Sequence, residues 1–480
     1  MCLSVDTNLA FDLASEQDIV SLITKKVLSQ FSVQSSSPAP GNNGIFDSVD
    51  EAVAAAKAAQ EQLCRLSLEK RGELIAAVRT SATENAERLA RMELEETGMG
   101  RYDDKVAKHH LTIDKTPGLE DIQTEVLSGD NGLTIVERRP FGVAGCILPS
   151  TAPSCTAIHN SICMIAAGNS AVISPHPGGK NTTLEAVRII NRAIVGVGGP
   201  ANVIVSTSEA TMKEAAEIMK HSDIDLLVAT GGPGVVKEIL SSGKKGIGAG
   251  PGNPPVLVDE TADIPKAARD IIDGNSFENG IQCIGEKECL VVDCVADLLI
   301  SEMQQDGAYL ITDSGGLARL IELVTSNGVP NKQYIGKDAN IILRDAGINP
   351  GRSVRTIIYE ACADHITVME EYLMPLLPIV RVRDVDEGIA LAVKIEGRRR
   401  HSAIMHSRDV RNITKYAKAI QTTILVKNGP SYGGVGLGGE GYVSMSLAGP
   451  TGEGITSPKT FTRPQRCVLV GELNLRSALD

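Results

Sequence analysis

Among ten cysteines, Cys283 stands where a nucleophile could work. It lies in residues 275–287 (NSFENGIQCIGEK), a polar, glycine-containing connector between a helical stretch and an apolar strand. A thiol in such a connector can meet solvent or substrate, whereas a strand cysteine cannot. Nucleophilic catalysis needs a partly exposed thiol whose thiolate is held by a helix end, a base or a cation. Cys163 in 162–167, and Cys289 and Cys294 around 290–292, sit in apolar runs and read as small buried hydrophobes. No pair is spaced C-x-x-C, which argues against a zinc ribbon or a thioredoxin-like site. His109–His110 and His401/His406 form no metal spacing and read as surface or core histidines, so no metal is expected.

Three loops fall at the carboxyl ends of expected strands, where open α/β sheets bind ligands. They are 149–153 (PSTAP), 175–179 (PHPGG) and 230–234 (TGGPG). Glycines ahead of a helix let backbone N–H groups approach a phosphate at the positive helix end. The turn 230–234 is not the dinucleotide pattern G-x-G-x-x-G, the chain has no P-loop, and ordinary βα turns also look like 230–234. Residues 246–255 (GIGAGPGNPP) and 428–440 (NGPSYGGVGLGGE) are either mobile loops or backbone needed at close approach.

These loops need elements to hold them. Short apolar runs at Val143–Leu148, Ser170–Ser174, Val203–Val205, Leu226–Ala229 and Val256–Val258 read as strands. Helical stretches at 155–167, 182–195, 211–220 and 235–241 separate them. A second series follows, with helices at 264–275 and 295–305 and strands at 289–294, near 378–383 and at 423–427. Apolar strands alternating with helices imply right-handed crossovers and parallel sheets covered on both faces. Two α/β domains with a cleft between them are expected. Upstream, 50–66 and 69–98 read as long helices, with Gly98 as a stop.

The 480 residues carry 47 Lys plus Arg against 59 Asp plus Glu, a net charge of −12. So acidic a chain is a poor nucleic-acid binder. No apolar run reaches a membrane span, and no secretory signal opens the sequence. The cysteine usage suits a reduced intracellular compartment. Residues 16–31 (EQDIVSLITKKVLSQF) place Ile19, Ile23, Val27 and Phe31 at fourfold spacing, an amphipathic helix. A Ser/Pro/Gly/Asn-rich stretch over 33–44 then reads as a linker. A helix on such a tether suits an external partner.

Taken in order, 149–153, 167–169 (AGN), His176-Pro177, 230–232, 250–255 (GPGNPP), Cys283 and Glu371…Pro375 resemble the aldehyde dehydrogenase superfamily. Residues 95–101, 129–134 and 450–455 resemble its CoA-acylating branch from bacterial microcompartments. The resemblance runs from about Gly44 onward. It implies an α/β aldehyde dehydrogenase-like fold: a Rossmann-type NAD-binding domain over 45–255, a catalytic domain over 256–446, and a β oligomerisation arm. The arm would use strands near 126–139 and in the C-terminal segment 447–480. It implies that Cys283 attacks a short aldehyde, propionaldehyde or acetaldehyde. Hydride then passes to NAD⁺, and CoA releases acyl-CoA and NADH from a cysteine thioester. Ser174, His176, Thr230, Gly231, Gly232 and Glu371 fall at cofactor-binding positions. Region 1–32 resembles a targeting peptide, implying shell-protein partners bound through 16–31, a place in the microcompartment lumen, and a homodimer or homotetramer.

Two departures carry chemistry. Hydrolytic members have E-L-G-G-K, whose Glu activates water, where this chain has 248–252 (GAGPG). Without that base, worth about 10²–10⁴ in rate, water attack on a thioester is slow and CoA is favoured. The family's oxyanion Asn is Ala152 here, and one such donor is worth about 10²–10³ in kcat. Thr151, Ser154 or a water would have to supply it, or the enzyme is slow. A hydrolytic dehydrogenase and a catalytically weak packaged scaffold are the competing readings.

Overall fold

The computed structural model describes residues 43–475. The helix expected over 16–31, region 1–32 and nearly all of the linker 33–44 lie outside the described residues.

Six parallel strands form the first sheet, in the spatial order Ile45–Phe46, Ile204–Thr207, Ser170–Ser174, Val143–Ile147, Leu226–Thr230, Lys245–Ala249. Alternation divides its core. Cys146, Ile173 and Val228 face helices 153–167 and 180–196, while Val172, Val205 and Leu227 face helices 49–63 and 212–220. Helix Pro153–Ala167 is buried along its whole length, which is why its sequence is apolar on every side. Residues 246–249 read from composition as loop but form the last strand. A Cβ on Gly248 would stand 2.7 Å from Val236, so the glycines let helix Pro233–Leu240 pack directly on the strand.

The second sheet holds seven parallel strands, in the order Ala308–Leu310, Thr356–Glu360, Leu376–Val382, Glu288–Val292, Pro255–Val258, Ser402–His406, Ile424–Lys427. Its two faces carry separate apolar clusters, around Ile271 and Leu299 and around Leu257 and Ile395. Strands 308–310, 356–360 and 402–406 were not legible in the sequence. Cys294, expected in a buried strand, begins helix Asp293–Gln305 one residue from its start and is exposed.

The expected helix over 69–98 is two helices, Leu68–Glu84 and Ala86–Thr97. Asn85, at φ −108 and ψ 4, leaves helical geometry between them. Gly98 ends the second in the left-handed conformation, as its position suggested. Glu125–Gly129, Gly132–Pro140 and Thr462–Val470 make a three-stranded antiparallel sheet. Val126, Leu127, Val468 and Val470 are exposed on it. No helix among the described residues is long and apolar enough to cross a membrane.

Candidate active site

The first sheet offers the carboxyl ends of its strands and the second the amino ends of its strands to one cleft. Strand 143–147 has Ser170–Ser174 on one side and Leu226–Thr230 on the other, so chain direction across the sheet reverses between 143–147 and 226–230. The loops leaving those two strands, 149–152 and 230–232, meet at that switch point. From the second sheet come the segments that enter strands 255–258, 288–292, 376–382 and 402–406. They bring Gly250, Cys283, Glu371 and His401.

Cys283 lines two cavities at once. The first is mostly apolar, walled by Leu111, Phe277, Ile284, Tyr432, Val435 and Met445, with Thr151, Ala152, Lys108 and His401 also in its wall. The second runs over the glycine turn past His176, Thr230, Gly231, Gly232, Gly250 and Glu371. Pro149, Thr151, Thr230, Ala249, Gly250 and Ile281 border both. Glu371 and Gly250 also border a third groove, with Pro233, Leu240 and Arg399. One thiol therefore stands between an apolar pocket and a groove that leads out over a helix N-terminus.

The turn itself is open. A Cβ on Gly231 or Gly232 would meet nothing within 4 Å, and Gly232 caps helix Pro233–Leu240 without a side-chain bond. The Gly231 N–H is taken by Ala249 O at 3.0 Å, so what faces free space is the glycine backbone itself and the positive end of helix 233–240, which suits close approach of a dinucleotide. The Thr230 hydroxyl pairs with Ser446 Oγ at 2.7 Å. His176 Nδ1 accepts from Gly178 N at 3.0 Å, and burial lowers the imidazole's basicity. Ser174 is buried at the end of its strand and borders none of these three cavities.

The oxyanion candidates separate. Thr151 lines both cavities. Ser154 does not reach them: its hydroxyl lies 2.8 Å from His109 Nε2 and donates to Glu93 at 2.7 Å, fully buried. Ala152 is the N-cap of helix Pro153–Ala167, and no side chain caps that helix. Its positive end therefore borders the pocket through Ala152 and Thr156.

Beneath the two loops lies a buried ionic cluster. Lys105 and Lys108 each pair with both Glu93 and Glu278. Lys108 also donates to the Thr151 carbonyl at 3.2 Å, joining the 149–152 loop to the segment before Cys283. Burial works against its charge, but Glu278 and Glu93 outweigh this and raise its basicity.

Electrostatics keep Cys283 a thiol at rest. Burial first and Glu371 second push it up to about 12, while Lys287 pulls it down. Burial raises the Glu371 carboxyl to about 7, against the pull of Lys287. Its Oε1 accepts from Gly252 N at 3.3 Å. His401 is buried and neutral, held down to about 3 by burial and Lys287. Its Nδ1 lies 2.9 Å from Ser402 Oγ, and its buried Nε2 has no protein partner. A neutral imidazole with a free ring nitrogen can hydrogen-bond a ligand in the pocket. His401 was not legible as a site residue, because nothing local in the sequence marks the strand that starts at Ser402. Among the described residues, Glu371 is the only carboxylate bordering the two cavities that share Cys283. Gly248 lies in a strand, its N–H donating to Thr451 Oγ1 at 3.1 Å.

The aldehyde dehydrogenase family model matches residues 42–452. The chain belongs to the aldehyde dehydrogenase family. Propanal dehydrogenase (CoA-propanoylating) of Citrobacter freundii is 45% identical over 90% of this chain and 94% of its own length. The crystal structure of Rhodopseudomonas palustris propionaldehyde dehydrogenase, with bound CoA and an acylated cysteine, superposes with a TM-score of 0.89. It is 48% identical and covers 90% of this chain and all (100%) of that one. The propionaldehyde dehydrogenase of a Clostridium phytofermentans fucose-utilisation microcompartment matches at 48% identity and a TM-score of 0.88, over 90% of this chain and 100% of its own. The two parallel sheets and the antiparallel arm are thus those of an aldehyde dehydrogenase.

Proposed function

We propose that this aldehyde dehydrogenase converts a short aldehyde and CoA to acyl-CoA, with Cys283 as its nucleophile and NAD⁺ as oxidant. The observation that carries the reading is the position of Cys283, in the shared wall of the apolar pocket and the groove over the glycine turn. The relatives' names, CoA-propanoylating among them, agree with it. The pocket side takes the alkyl end of propionaldehyde or acetaldehyde against Leu111, Phe277 and Ile284. Thr230, Gly231 and Gly232 let the dinucleotide lie close over the start of helix 233–240, with His176 and Glu371 along the same groove. Bound there, NAD⁺ supplies the hydride acceptor.

Cys283 Sγ bonds to the aldehyde carbon as its proton leaves to ionised Glu371, a stronger base than His401, whose imidazole burial holds down to about 3. The oxygen that gains charge lies near the uncapped start of helix 153–167. After oxidation the acyl group is a thioester on Cys283. The CoA sulfur then bonds to the acyl carbon and the bond to Cys283 Sγ breaks. Water competes poorly because position 248 carries no carboxylate and Glu371 must also serve the groove. We assign 45–255 as the NAD-binding domain and 256–446 as the catalytic domain. The exposed apolar strands at 125–129 and 462–470 serve a homodimer or homotetramer, since open strand edges need a partner. Residues 16–31 dock on shell proteins of a microcompartment, placing the enzyme in its lumen.

The test is nicotinamide reduction, followed by absorbance, with propionaldehyde and NAD⁺, with and without CoA. Sustained turnover only with CoA, lost in Cys283→Ala, is the expected result. Equal turnover without CoA would make this a hydrolytic enzyme. Removal of residues 1–44 leaves turnover intact and abolishes co-purification with shell proteins, whereas lost turnover would make the segment part of the fold.

A further inference from the structure

The backbone that presents Cys283 is held in an uncommon shape. Glu278, Asn279 and Gly280 have φ of 53, 55 and 77° in succession, the left-handed region that non-glycine residues seldom enter. Side chains hold the first two: Glu278 through the lysine cluster, and Asn279 through Nδ2 to Gly336 O at 3.0 Å and Asp338 at 2.8 Å. Lys287 holds the rest. It is 2% exposed, and its Nζ donates to Gly280 O at 2.6 Å and Gln282 O at 2.9 Å. Its own N–H donates to Pro254 O at 3.2 Å, anchoring it at the entrance to strand 255–258. One ammonium thus bridges two carbonyls of the turn, one of them on the residue next to Cys283.

A neutral donor could make both of these bonds, and a buried charge is costly. Its use here needs a reason, and the acidic groups around it provide one. Burial lowers the basicity of Lys287, and Glu371, Cys283, Glu286 and Glu288 work against it in favour of the ammonium form. The charged or titratable groups that border the cavities of Cys283 are Glu371 from the segment before strand 376–382, His401 before strand 402–406, His176 after strand 170–174, Lys108 from helix 102–115 and Tyr432. The ammonium at 287 is the only cation among the main influences on the Cys283 thiol.

We propose that Lys287 is a positioning residue whose ammonium both clamps the 280–282 turn and holds the negative charge of Cys283. This rests on the assignment of Cys283 as nucleophile. The charge acts twice in one turnover. It favours the thiolate that bonds to the aldehyde carbon. It again favours the thiolate that leaves when the CoA sulfur takes the acyl carbon and the electron pair of the broken bond returns to Sγ.

The experiment compares full-length wild type with Lys287→Met, Lys287→Gln and Lys287→Arg, each checked for folding by circular dichroism. The rate of Cys283 alkylation by iodoacetamide is followed against pH, with the labelled peptide identified by mass spectrometry. Loss of the charge in the Met and Gln variants should move the titration midpoint up by about one unit, slowing alkylation about tenfold below it. The Arg variant should stay within about threefold of wild type, because it keeps the charge. Acyl transfer from the preformed acyl-enzyme to CoA should slow in the Met and Gln variants as well. A wild-type alkylation profile in folded Lys287→Met overturns the proposal. If that variant does not fold, matching profiles for Lys287→Gln and Lys287→Arg overturn it. The assignment of Cys283 fails separately, when wild-type label that inactivates the enzyme falls on another cysteine.

Discussion

Replacing Glu371 by Gln tests the electrostatics of the site in the absence of any substrate. Burial raises this carboxyl from 4.5 to about 7 in the folded protein. The folded state therefore holds its proton more tightly than the unfolded chain does. The sign follows: ionised Glu371 opposes folding, fully above about pH 7 and not at all below about pH 4.5. At about 1.36 kcal/mol per unit, the whole shift corresponds to about 3.4 kcal/mol. Glu371 is only half-buried beside an open groove, so solvent screening reduces this to about 1–3 kcal/mol. The Gln variant should exceed wild type by that amount near pH 8.5, and by about 1 kcal/mol less near pH 6. For a chain of this size the difference is about 1–3 °C in Tm, measurable by calorimetry at one fixed protomer concentration. The same variant should alkylate faster at Cys283, because Glu371 is second only to burial in raising that thiol. A Gln variant less stable than wild type near pH 8.5, or a gap that does not change with pH, would refute the reasoning.

Ala152→Asn should raise kcat several-fold, towards the about 10²–10³ that one oxyanion donor is worth, since Ala152 borders the pocket. If only Tm rises, the new amide has capped helix 153–167 instead, a stabilisation of about 1 kcal/mol. Gly280→Ala should cost more than 2 kcal/mol, read by urea denaturation, and abolish turnover: its Cβ would sit 2.3 Å from the Met374 carbonyl at a φ of 77°.

Much of the fold was legible because its signals are local. Strands 170–174 and 226–230 are apolar on both faces, and a central parallel strand must be. Cys283 was legible because a thiol in a polar connector contrasts with thiols in apolar runs. The last strand of the first sheet was not legible. Glycines at 246 and 248 suggest a loop until the helix packed on them is known.

By itself the sequence determined the two parallel sheets, the glycine turn and the candidate thiol, and the resemblance they carry. Each follows from which residue type stands where along the chain. The tertiary structure alone decided what surrounds that thiol. It brought in Lys287 with its bonds to the 280–282 turn, His401 with a free ring nitrogen and Glu371 as the only carboxylate among the described residues that borders the two cavities of Cys283, and it turned Ser154 away to Glu93. Burial, charge proximity and hydrogen-bond partners depend on contacts between distant segments, so the titration of Cys283 is a property of the fold and not of its local sequence.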